Sequence, residues 1–83
     1  MKLDVVRLGI ALGIVWGAGC LFLGWAAAAF GWGAPIVELA GTFYIGFAPT
    51  LAGGLIGGLW GFADGLIGGL LIAWIYNVIP LRT

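Results

Sequence analysis

Two long apolar runs limit what this chain can fold into. Leu8 to Phe30 contains no charged residue, and Thr50 to Tyr76 is interrupted by one charge, Asp64. The hydrocarbon core of a bilayer is about 30 Å thick and takes roughly 20 helical residues to cross. Each run reaches that length, and the second exceeds it enough to cross with some tilt. In hydrocarbon an unsatisfied backbone amide costs several kcal/mol, so a single spanning segment has to be a helix. The pattern predicts an all-α membrane protein built as a two-helix hairpin. Its parts are an N-terminal tail (1–7), a first transmembrane helix (8–30), a connector (31–49), a second, glycine-rich transmembrane helix (50–76) and a C-terminal tail (77–83).

Composition agrees. The 83 residues are 64% hydrophobic and 7% charged, against roughly 45 to 50% apolar in soluble domains. Lys2, Arg7 and Arg82 balance Asp4, Glu38 and Asp64, which leaves no basic surface for nucleic acid. There is no His, and Cys20 stands alone, so an intrachain disulfide and a zinc site are both excluded. No glycine cluster joins a strand to a helix or precedes a phosphate-loop Lys. A nucleophile–base pair cannot be assembled from one Cys and three scattered acids. The chain is expected to be non-catalytic and to need no metal or cofactor.

The connector opens with Gly31, Gly33 and Pro35 and closes with Gly46 and Pro49. It encloses about a dozen mostly apolar residues, a length typical of interfacial or re-entrant segments. Pro35 to Phe47 is expected as a short helix or loop lying at the membrane surface. Lys2 and Arg7 before an apolar run ending in GAGC outline a lipoprotein signal with Cys20 as the lipidated residue. Gly17 is atypical for such a cleavage site, however, and the apolar run continues ten residues past Cys20. Basic residues lie near both ends and none lies in the connector, so the positive-inside rule places both termini in the cytoplasm. Trp25, Trp32 and Tyr44 then mark the outer aromatic belt, and Trp74 and Tyr76 the inner one.

The glycines have a spatial logic. On a helical wheel at roughly 100° per residue, Gly53, Gly57, Gly61, Gly65 and Gly69 fall with Gly54, Gly58 and Gly68 inside an arc of roughly 160°. Leu55, Leu59, Trp60, Phe62, Leu66, Ile67, Leu70 and Trp74 fill the other side. A glycine-zipper face of this kind lets helices approach closely in lipid. Gly9, Gly13, Gly17, Cys20, Gly24 and Ala27 form a matching stripe on the first helix, with Cys20 as a small packing residue. Because the arc is wider than the roughly 100° that suits one neighbour, a further helix from another chain is expected. The expected partners are the lipid bilayer and either further copies in a homo-oligomer or the subunits of a larger membrane complex.

Asp64 falls inside the glycine arc, so its carboxylate points at protein. An intramembrane carboxylate marks a functional site by default, and no basic residue of the chain lies near it in sequence. With the two spans centred on one plane, Trp16 comes within about a turn of Asp64 and can donate its indole N–H. The plain alternative is a protonated Asp64 that only holds helices together through a hydrogen bond. Glu38 reads as a solvated connector charge or, in a ring of subunits, as part of a cation-favouring vestibule.

The segments LGIALGIVWGAG, YIGFAPT and GLWGFADGLIGGLLIAWIYN together resemble a group of small prokaryotic membrane proteins labelled bacteriophage holin or holin-like. The likeness runs from about Val5 to Asn77. It implies oligomerisation in the cytoplasmic membrane and formation or gating of a pore. Two-span holins commonly end in a highly charged tail, whereas this chain ends VIPLRT. The competing expectation is an accessory subunit that fills a groove in a larger membrane complex. In outline only, the hairpin is also similar to the ring subunit of rotary ATP synthases, in which the glycine motif and the carboxylate lie on different helices.

Overall fold

A computed structural model describes residues 2–80. Among them the chain is helical without strands: α1 (Val5–Phe30), α2 (Ala34–Ala40) and α3 (Leu51–Val78). α1 and α3 pack side by side along an elongated molecule of 49 × 19 × 19 Å. Both are long and apolar enough to cross a membrane. Arg82 and the end of the C-terminal tail lie outside the described residues.

The helix ends follow from local chemistry. α1 begins one turn before the apolar run because the Asp4 carboxylate caps it, accepting from the Arg7 backbone N–H at 3.0 Å. It ends at Gly31, whose left-handed φ of 71° lets its N–H reach the Ala27 carbonyl, a conformation that glycine adopts without steric cost. Thr50 caps α3 in the same way as Asp4 caps α1, its hydroxyl accepting from the Gly53 N–H at 2.8 Å. Pro80 limits α3, because the residue before a proline is driven out of the helical region; Ile79 is extended at ψ 125°. At the same end Asn77 clasps the start of the chain. Its side chain accepts from the Leu3 N–H at 2.7 Å and donates to the Leu3 carbonyl at 2.8 Å.

The seam between α1 and α3 is made of backbone. Gly69 lies against Gly9, Gly65 against Gly13, Gly61 against Gly17 and Gly54 against Gly24, an antiparallel register carried by the glycines. A Cβ placed on Gly65 would sit 2.6 Å from the Leu12 carbonyl oxygen, and one on Gly69 would sit 2.7 Å from the Gly9 Cα. Cys20 belongs to this seam, with its Sγ facing Gly61. Phe62 and Leu70, expected on the outer side, close over Gly13 and Gly9. The buried apolar side chains among the described residues are only Ala27, Val37, Phe47 and Ala73, while large residues such as Phe22, Phe30 and Leu59 are exposed. Small residues are inside and large ones outside, the reverse of a water-soluble core.

The connector differs most from expectation. Gly31 and Gly33, both with positive φ, reverse the chain, and α2 runs back beside α1. Val37, fully buried, shares a cluster with Ala27 and Phe47, against which Leu23 and Cys20, successively deeper levels of α1, and Tyr44 of the connector pack. The chain then turns at Gly46 (φ 95°) and climbs back, placing Phe47 against Gly57 and Ala48 against Gly53. The connector therefore dips between the helices instead of lying across their ends. Part of the wide glycine arc is thus covered by this dip, at Gly53 and Gly57. Gly68 is the arc position left open, with nothing within 4 Å of a Cβ placed there.

Candidate functional site

Polar chemistry collects at one place, midway along the hairpin. Trp16 stands near the middle of α1, Asp64 near the middle of α3, and Tyr44 is brought between them by the connector. The Trp16 indole N–H donates to the Tyr44 hydroxyl at 3.1 Å, and that hydroxyl donates to Asp64 Oδ2 at 2.5 Å. An indole can only donate, an ionised carboxylate accepts, and a phenol can do both.

Aromatic packing fixes Tyr44. Its ring stacks on Trp60, with centroids 5.9 Å apart and planes 12° from parallel, and meets Phe43 edge-on at 5.1 Å. The Trp60 indole N–H donates to the Ile45 carbonyl at 2.8 Å, tying the bottom of the dip to α3. Trp25 does the same higher up, donating to the Leu51 carbonyl at 3.0 Å. Three tryptophans thus clamp the connector and the start of α3 to the hairpin. Each would otherwise leave an unpaired N–H on an apolar surface.

Among the described residues Asp64 has no countercharge nearby. Arg7 sits beside Asp4 at 4.0 Å on the exposed first turn of α1, nine residues and roughly 13 Å of helix away from the level of Trp16. Asp64 Oδ1 carries no hydrogen bond among the described residues, and the Asp64 side chain is exposed on the flank of the hairpin. It opens into a groove of about 240 Å³ bounded by Leu12 and Trp16 from α1 and by Gly65, Gly68, Gly69 and Ile72 from α3. Among the described residues no three metal-ligating side chains come together.

Of the residues singled out from sequence, Trp16 and Asp64 are brought to one site, though through Tyr44 instead of by direct contact. Gly9, Gly13, Gly17, Gly24, Gly53, Gly57, Gly61 and Gly69 are buried in the seam or under the connector, and Gly65 is half-buried there. Glu38 is exposed on α2 and takes no part in the cluster. Tyr44 and Trp60 were missed as site residues. Tyr44 was assigned to an outer belt and Trp60 to an outward face, whereas both stand on the Asp64 side. Tyr44 could have been suspected only as a phenol in a mostly apolar connector, a group that needs a partner when buried.

Comparison of the chain with protein-family models, with curated proteins and with solved structures yields no match.

Proposed function

We propose that this chain is a two-span protein of the cytoplasmic membrane that self-associates in the manner of holin-like proteins, with both termini cytoplasmic. The flank bearing Asp64 faces a shared interior along which cations pass. The observation that carries this reading is the exposed Asp64 carboxylate midway along an apolar hairpin, held by Tyr44, which Trp16 holds in turn, and without a basic partner among the described residues. A carboxylate facing hydrocarbon at that level is costly, and intramembrane acids almost always face protein or a water-filled path. The dip supports the same reading. Among the described residues the N–H groups of Ile45 and Gly46 find no acceptor, and non-helical backbone is tolerated at membrane depth only where it is covered by protein or lines water. The glycine seam, sealed within one chain, serves as a rigid wall for such a path.

The test is cation flux in proteoliposomes. Asp64→Asn preserves size and much of the hydrogen bonding but cannot ionise; it is expected to change flux severalfold while native mass spectrometry shows the same oligomer. Wild-type protein that stays monomeric and conducts nothing would refute the proposal and favour an accessory subunit.

A further inference from the structure

We infer that the groove beside Asp64 is a binding site for a small organic ammonium ion with an apolar or aromatic body. This goes beyond self-association, because the site lies within one protomer. Three features of the groove define its occupant. The first is charge: Asp64 is its one ionisable group, Tyr44 holds Oδ2, and Oδ1 is left free to meet a cation. The second is wall chemistry. Leu12, Gly65, Gly68 and Ile72 offer no polar side chain, so a metal ion would lose its water without gaining the six or more oxygens that hard cations require. An ammonium bearing carbon substituents sheds little hydration and gains contact with these walls. The third is Trp16, which lines the same groove; an indole is the best of the aromatic surfaces for a cation.

Space and the chain's own charges narrow the choice further. The groove holds about 240 Å³, room for a trimethylammonium head with a single ring. Gly68 contributes no side chain, and nothing lies within 4 Å of where its Cβ would be. The described residues of a second copy offer no cation at this level. Lys2 and Arg7 precede or open α1, so the ammonium assigned to the groove is a separate molecule.

The experiment titrates the full chain, in mild detergent and in lipid nanodiscs, with benzyltrimethylammonium. Neopentylbenzene, its uncharged isostere, is run in parallel. Calorimetry and the indole N–H resonance of Trp16 are the readouts. Saturable one-to-one binding of the ammonium that shifts Trp16, with at least tenfold weaker binding of the isostere, is the expected result. Asp64→Asn should weaken the ammonium at least tenfold. Gly68→Leu, which fills the groove and leaves Asp64 in place, should do the same and guards against a folding defect in the first variant. The inference is overturned if the isostere binds equally well, if neither substitution weakens binding, or if the wild type shows no saturation. It is also overturned if a Gly68→Cys, Cys20→Ser chain cross-links quantitatively to a second copy and the ammonium leaves the yield unchanged. Binding without conductance would refute the flux proposal alone.

Discussion

Gly65 and Gly68 are three residues apart on α3, yet adding one methyl group to each should have opposite outcomes. A Cβ on Gly65 would lie 2.6 Å from the Leu12 carbonyl oxygen, 2.9 Å from the Gly13 Cα and 2.9 Å from the Trp16 Cβ. Two of those atoms are backbone and the third is fixed to it, so no side chain can rotate out of the way. Bringing the Leu12 oxygen back to ordinary contact at 3.4 Å requires α1 and α3 to part by about 0.8 Å. A gap of that size forfeits a quarter to a half of the dispersion well of each facing pair. It would act on the neighbouring Gly61 and Gly69 contacts as well. Overpacking of this kind costs about 1–3 kcal/mol, a factor of roughly 5 to 150 in the equilibrium between packed and separated helices. On Gly68 the same methyl meets nothing within 4 Å, and Ala is a better helix former by up to about 1 kcal/mol. The assay is reversible unfolding of the purified chain in mixed micelles as the fraction of denaturing detergent rises, followed by energy transfer between labels at the two ends of the hairpin. Gly65→Ala should lower the midpoint, and Gly68→Ala should hold or raise it. Equal stability of the two variants would refute the backbone-on-backbone seam.

Tyr44→Phe keeps the ring stacked on Trp60 but removes both hydrogen bonds of the hydroxyl; it should cost about 1–2 kcal/mol and shift the indole N–H resonance of Trp16 while leaving that of Trp25 in place. Asn77→Ala deletes the two-bond clasp on Leu3 and should cost about 1–3 kcal/mol, with faster amide exchange confined to the first turn of α1. A cysteine at Trp32, in a Cys20→Ser background, should react quickly with an impermeant thiol reagent applied outside intact cells, and one at Ile45, at the bottom of the dip, should react slowly. Equal rates at the two positions would mean that the connector lies flat at the surface.

What the sequence by itself determined is local and periodic. Two runs with at most one charge each are long enough to cross a bilayer, and their helical state, glycine stripe and small-residue face follow from repeats of three and four within one segment. The stop at Gly31 is equally local; the caps at Asp4 and Thr50 and the limit at Pro80 are local too, but the apolar runs alone put the helices at 8–30 and 50–76 and left them unread. The level of Asp64 relative to Trp16 was also legible, because antiparallel helices of similar length joined end to end share a midpoint. The path of the connector was not legible. Its residues from Gly31 to Pro49 fit a surface segment as well as a dip, since an apolar stretch of that length is satisfied by either place. Tertiary contact decided between them: Phe47 finds the bare surface of Gly57, Val37 finds Ala27, and the Trp60 indole finds the Ile45 carbonyl. That same choice covered Gly53 and Gly57 and delivered Tyr44 to Asp64. A contact twenty residues apart in sequence leaves no periodic trace, because it depends on which surface is vacant once α1 and α3 have packed.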